Sequence, residues 1–147
     1  MLETIVTKKL VFCVDGTNLV RSGGQGYGGP AFRAQEEADE QRLLAALSQL
    51  CDAREGLEIE LFFDGAFRAL RSVSPGLTIR FSRELSADEM ILDRVRGKSY
   101  AGGGKITVVT ADSELGEQVS QEGGRWVRVH PGASLESVIR AIEGRFK

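Results

Sequence analysis

Along this chain the apolar positions gather into short runs, each stopped by an acidic or glycine-bearing step. Leu10-Val-Phe-Cys-Val14 is continuous and β-rich and breaks at Asp15-Gly16, the pattern of a buried parallel strand that ends in a loop. Leu57 to Phe63 reads as a second strand, broken at Asp64-Gly65. In Leu77 to Phe81 the apolar Leu77, Ile79 and Phe81 alternate with Thr78 and Arg80, giving a third. Lys105 to Thr110 supplies a fourth, followed by Ala111-Asp112, and Arg125 to Val129 a short fifth. Between the strands the period changes. From Gln35 to Arg54, Leu43, Leu47, Leu50 and Cys51 fall on one helical stripe opposite charged positions. Ser86-Ala-Asp-Glu89 opens a helix running to about Lys98. Leu135, Val138, Ile139, Ile142 and Phe146 form the stripe of a closing helix. Arg21 to Pro30 holds five glycines and no periodic apolar positions, which predicts a surface loop. Strands alternating with helices predict an α/β fold of three α/β/α layers, with a mostly parallel central sheet of about five strands covered on both faces.

The length of 147 residues suits one domain over 1–147 that buries its own core, and no internal repeat is visible. Apolar residues at 41% and charged residues at 27% exclude a disordered chain. The first apolar run is too short for a signal peptide or a membrane span and follows an early Glu3, so a cytoplasmic protein with no membrane partner is expected. Cys13 and Cys51 lack metal-ligand spacing and read as reduced, buried thiols. A formal net charge of -2 excludes a protein that coats nucleic acid by charge alone, so any such contact must come from a local patch.

Charge placement carries more than charge total. Ligand sites of open α/β sheets lie at the carboxyl ends of the strands, where Asp15, Asp64 and Asp112 each stand. Asp88, in the first turn of the helix after the third strand, opens onto the same edge. Carboxylates crowded together repel unless they are protonated or share a cation. With only oxygen donors on offer, that cation is Mg²⁺ or Mn²⁺ rather than zinc, and such ions activate water and neutralise charge on a phosphodiester. Each acid also has a plainer role. Asp15 and Asp64 precede glycines, as turn residues do, and Asp112 can N-cap the helix that starts there. Ser86 and Glu89 match a capping box, and Asp88 there favours the helix dipole. Asp93 lies about 140° around the helix from Asp88 and cannot aim at the same point. Asn18 can orient Asp15 or a phosphate or be an ordinary loop residue, while the hydroxyls of Thr110 and Ser113 can position water or substrate or cap a helix.

Arg68, Arg71, Arg80 and Arg83 follow one another with no acid between Ala66 and Arg83, a candidate grip for phosphates or simply a solvated face. Phe67 is a candidate to stack on a base, whereas Phe81 belongs to the apolar face of its strand. Three other motifs fail on context. Gly24-x-Gly26-x-x-Gly29 runs into Pro30 instead of opening a helix, Gly102-Gly-Gly-Lys105 precedes its strand, and the lone His130 leaves no triad.

Val14-Asp-Gly-Thr-Asn18-Leu-Val, Phe63-Asp-Gly65, Ser86-Ala-Asp88-Glu and Val108-Val-Thr-Ala-Asp112-Ser, in this order and covering nearly the whole chain, resemble the NYN branch of the PIN-like nucleases and specifically its YacP-like members. The resemblance implies a PIN-like fold and a metal-dependent endoribonuclease that cuts RNA phosphodiester bonds. It implies Mg²⁺ or Mn²⁺ held by Asp15, Asp88 and Asp112, with Asn18 and Asp64 completing the catalytic pocket. The chain departs from the pattern at Thr17, where an aromatic is common, at Ala111, where serine is usual, and in its glycine-rich stretch from Ser22 to Gly29. Single-stranded RNA is the expected substrate, gripped by Arg68, Arg71 and Arg83 with Ser113 nearby. A larger RNA–protein assembly that presents the substrate is a further expected partner, and the chain is expected to be a monomer or weak homodimer. The competing expectation is a non-catalytic RNA-binding or adaptor domain on the same fold. An aspartyl-phosphate enzyme would need a DxDxT string that is absent.

Overall fold

A computed structural model of the chain describes residues 10–22, 30–71, 74–100 and 106–146. In chain order they form β1 (Leu10–Asp15), α1 (Gly16–Ser22), α2 (Pro30–Ala53), β2 (Leu57–Phe63), β3 (Leu77–Phe81), α3 (Ala87–Tyr100), β4 (Thr107–Thr110), α4 (Ser113–Gln121), β5 (Arg125–Arg128) and α5 (Leu135–Glu143), closed by a 3-10 turn over Gly144–Phe146. The five strands lie side by side in the order β3-β2-β1-β4-β5, every neighbouring pair parallel. This is the α/β/α arrangement that the alternating periods predict. All strand carboxyl ends therefore share one edge.

Period-two alternation decides which helix each side chain meets. On one face Phe12, Val14, Ile59, Leu61 and Phe63 pack with Leu43, Leu44, Leu47 and Leu50 of α2 and with Val138 and Ile142 of α5. On the other, Cys13, Phe62 and Val108 pack with Ile91, Leu92 and Val95 of α3 and with Leu115 and Val119 of α4. β1 is apolar on both faces because both are covered, whereas β2 sets Glu58 and Glu60 beside Phe62 on the α3 side, where the buried Glu60 pairs with Arg80 and Arg94. Cys13 and Cys51 are free and buried, as expected. Among the described residues no helix is long and apolar enough to cross a membrane.

One element departs from the sequence reading. The segment after Asp15 was expected to run straight into a loop, yet Gly16 to Ser22 forms α1, so Arg21 and Ser22 are helical. Gly16 and Asn18 are poor helix formers, and tertiary fit overrides them. A Cβ on Gly16 would stand 2.5 Å from the Phe63 ring and 2.9 Å from the Phe62 carbonyl oxygen, so only glycine lets α1 start this close to β2. The remainder of the glycine-rich stretch, with the Gly24-x-Gly26 motif, lies outside the described residues, as do Gly102 to Lys105.

Candidate active site

The parallel sheet delivers Asp15 from the end of β1, Asp64 from just beyond β2 and Asp112 from just beyond β4 to a single edge. Asp88 arrives in the first turn of α3. Three of these acids also begin helices. The Asp112 carboxylate accepts the N–H groups of Glu114 at 3.0 Å and Leu115 at 3.3 Å, capping α4. Asp64 Oδ1 accepts the Ala87 N–H at 2.7 Å, at the first residue of α3. The Asp15 carboxylate takes the backbone N–H of Asn18 in α1. The capping and cluster readings are thus both present in the same carboxylates, and the helix N-termini turn their positive ends toward the acids. Ser86 caps α3 through the Glu89 N–H at 3.1 Å, as the capping box predicts. Asp93 is exposed and ion-paired to Arg96 at 3.8 Å, away from the cluster.

Asp15 is 1% exposed. Burial dominates its protonation and pushes its carboxyl up to about 7. The hydrogen bond from Thr110 and the Asn18 N–H oppose the rise, while the charges of Asp88 and Asp64 add to it. Asp88 is half-buried, and its carboxyl is also raised, first by desolvation and then by the negative charges of Asp112, Asp64, Glu114 and Glu89. The four acids feel one another. A small hydrogen-bonded frame holds two of the strand ends together. Thr110 Oγ1 donates to Asp15 Oδ2 at 2.9 Å, lies 3.2 Å from Asn18 Oδ1, and accepts the Asp112 N–H at 3.1 Å. Asn18 Oδ1 also accepts the Ala111 N–H at 2.9 Å, so this side chain ties α1 to the end of β4.

The donor set is all oxygen, which suits a hard divalent ion. Among the described residues, however, no three His, Cys, Asp or Glu side chains stand close enough together to hold a metal ion by themselves. Proteins commonly bind Mg²⁺ through one or two carboxylates, several retained waters and substrate phosphates, so the lack of a third close acid does not conflict with an ion of that kind.

The arginines divide. Arg68 Nε and Nη2 pair with Glu40 at 3.1 and 2.8 Å, its other donors reach the Ala66 and Asp64 carbonyls, and its guanidinium lies over the Phe63 and Phe81 rings. Its hydrogen-bonding capacity is spent inside the protein on a carboxylate that is 1% exposed. Arg71 and Arg83 are exposed, Arg83 with φ 57 in the turn where its N–H meets the Gly65 carbonyl at 2.8 Å. Arg80 and Arg94 share Glu60, each at 2.8 Å. Ser113 is exposed at the start of α4, and Phe67 is 72% exposed, edge-on to Phe81.

Two contributors escaped the sequence reading. Thr17, noted only as a departure from the family pattern, is buried, and its Oγ1 accepts the Asp64 N–H at 2.7 Å, locking the start of α1 to the end of β2. Arg21 stands 4.0 Å from Asp64 Oδ2. The spacing of Asp15 and Asn18 as cap and third helical residue was the available signal, because a helix from Gly16 carries Arg21 round to the same edge.

No family model and no curated protein matches the chain. Among solved structures it is similar to Rae1 (YacP) from Bacillus subtilis, with a TM-score of 0.58 and 18% identity, covering 92% of this chain and 79% of that one. A tryptophan-to-leucine mutant of the same protein gives a TM-score of 0.61 at 17% identity, covering 92% of this chain and 76% of the other. At such identity the likeness speaks for the fold alone: over nearly its whole length the chain has the PIN-like α/β/α architecture that the four sequence motifs led one to expect.

Proposed function

We propose that the chain is a metal-dependent endoribonuclease acting on single-stranded RNA at the Asp15, Asp64, Asp88 and Asp112 edge. The observation that carries this reading is the convergence of four acids on one edge around the buried Asp15, whose carboxyl is pushed up to about 7 by burial and by the charges of Asp88 and Asp64. Perturbed carboxyls gathered at a ligand-binding edge mark functional sites more often than structural ones. The likeness to a YacP structure supports it, since nuclease activity is what the motif resemblance implies.

In this reading Asp15, Asp88 and Asp112 would offer one or two carboxylates at a time to Mg²⁺ or Mn²⁺, with water and the substrate phosphate completing the shell, and the ion would supply an activated water and charge neutralisation at the phosphodiester. The protein's own groups do the arranging. Thr110 holds the Asp15 carboxylate by a hydrogen bond and fixes the Asp112 backbone, so the two ligands from different strands keep their spacing. Asn18 braces the same frame, and Asp64 anchors α3, and with it Asp88, through the Ala87 N–H. Arg71, Arg83 and Ser113 lie exposed and available to the strand, whereas Arg68 serves the fold.

Cleavage of a labelled single-stranded RNA in Mn²⁺ tests the reading. Asp88→Asn and Asp112→Asn should lose activity by at least about a hundredfold while remaining folded, since charge stabilisation at the reacting phosphate is worth several kcal/mol. Full activity in either variant, from a clean preparation, rules the mechanism out. The adaptor reading is favoured by one observation, that among the described residues no three acids stand at metal-holding distance. It predicts RNA binding with no Mn²⁺ uptake by calorimetry and no cleavage.

A further inference from the structure

Arg21 lies on α1 one turn beyond Asn18, with its side chain 54% exposed. One edge of its guanidinium is already held. Nε donates to Glu36 Oε2 at 3.3 Å and Nη2 to Glu36 Oε1 at 3.4 Å, and Glu36 of α2 is itself only 15% exposed. Two parallel bonds to one sheltered carboxylate fix the plane of the fork and leave its remaining donors pointing elsewhere. Nη1 lies 4.0 Å from Asp64 Oδ2. That separation is too long for a hydrogen bond, so Nη1 sits beside the acid cluster without being consumed by it. Asp64 is meanwhile held through its other oxygen by the Ala87 N–H at 2.7 Å.

We propose that Arg21, braced by Glu36, receives a non-bridging phosphate oxygen of an RNA strand laid across the acid cluster. The proposal rests on the ribonuclease reading above. A carboxylate-rich edge repels a phosphodiester, and a strand approaching it needs a cation that does not have to be desolvated or reoriented first. Arg21 meets that need better than the arginines singled out from the sequence. Arg68 is committed to Glu40, and Arg80 shares Glu60 with Arg94. Of the described arginines, Arg21 has an ion contact to one of the four cluster acids. A planar fork with two donors engaged behind and others free in front matches phosphate geometry, which a flexible ammonium does not.

Fluorescence anisotropy with a labelled single-stranded oligoribonucleotide tests this across a salt series, with Ca²⁺ replacing Mg²⁺ so that the strand stays intact. Arg21→Gln should weaken binding about tenfold or more, the usual effect of losing a charge-assisted bond. Its plot of log affinity against log salt should be shallower by about 0.7, the contribution of one single-strand phosphate contact. Arg21→Lys should recover the slope but not the full affinity. Both variants should melt within a few degrees of the wild type, because the residue is exposed. If wild type binds the RNA and Arg21→Gln matches it in affinity and slope, the role of Arg21 is overturned and the ribonuclease reading stands. If wild type does not bind the RNA at any salt concentration, both fail.

Discussion

Replacing Asp15 by asparagine removes a carboxylate that the fold encloses almost completely, and the stability change should depend on pH in a defined direction. The unfolded chain releases the Asp15 proton near its ordinary 3.8, whereas the folded protein keeps it until about 7. Across that window the folded state binds the extra proton, so stability falls as pH rises, and the loss is complete above the folded value. At about 1.4 kcal/mol for each pH unit crossed, the full penalty is about 4 kcal/mol. Asparagine avoids the charge but weakens the bonds from the Thr110 hydroxyl and the Asn18 N–H, returning about 1–2 kcal/mol of that gain. In urea titrations with chelator present, Asp15→Asn should therefore be more stable than wild type by about 2–3 kcal/mol at pH 8, with the advantage gone near pH 5 and a deficit of about 1–2 kcal/mol toward pH 4. Asp88 tilts both curves the same way, so the difference between them isolates Asp15. Wild-type and variant curves that stay parallel from pH 4.5 to 8.5 would refute the burial-driven carboxyl.

Arg68→Ala strands Glu40 without its partner in the interior and should cost about 2–3 kcal/mol in urea unfolding, allowing for the partial exposure of Arg68. Arg71→Gln and Arg83→Gln, at exposed positions, should stay within about 0.5 kcal/mol of wild type. Thr110→Val keeps the shape but removes the hydroxyl shared by Asp15 and the Asp112 N–H; a loss of about 1–3 kcal/mol is expected. Its pH–stability profile should also shift to higher pH, because the bond opposing the rise of the Asp15 carboxyl is gone. A Cβ at Gly116 would fall inside the Trp126 indole, whose Nε1 donates to the Thr110 carbonyl at 3.1 Å. Gly116→Ala should cost about 1–3 kcal/mol and change the emission of the single tryptophan.

β1 was legible because burial on both faces demands an unbroken apolar run and β3 because its apolar residues alternate with polar ones, and β2 and β3 begin and end where the sequence placed them. The helices α2 and α5 were legible through their stripes and α3 through its capping box, although α2 begins five residues before Gln35, where Pro30 suits a first helical position and Ala31, Arg33 and Ala34 favour the helix. α1 was not, since its residues carry weak propensity and its reasons lie elsewhere, in the Phe63 ring against Gly16 and in the Asp15 cap. The acids could be named from their place at strand ends, which is a property of topology. Their partners could not. Whether an arginine is spent on the fold or turned toward the site depends on a carboxylate far away in sequence, Glu40 for Arg68 and Glu36 for Arg21. A run of basic residues is silent on that point.

The strand order β3-β2-β1-β4-β5 has a consequence for the time at which the site comes into being. The first three strands are contiguous in the chain and can close over α2 on their own side of β1. The other side of β1 waits for β4, and the Thr110 hydroxyl that grips Asp15 lies 95 positions further along. Contacts of that span are late ones in folding. Until β4 docks, Asp15 lacks its bond from Thr110 and Asp112 stands apart from the other acids. The acids are thus brought to one edge only when β4 joins β1, the step after which β5 alone remains to complete the sheet.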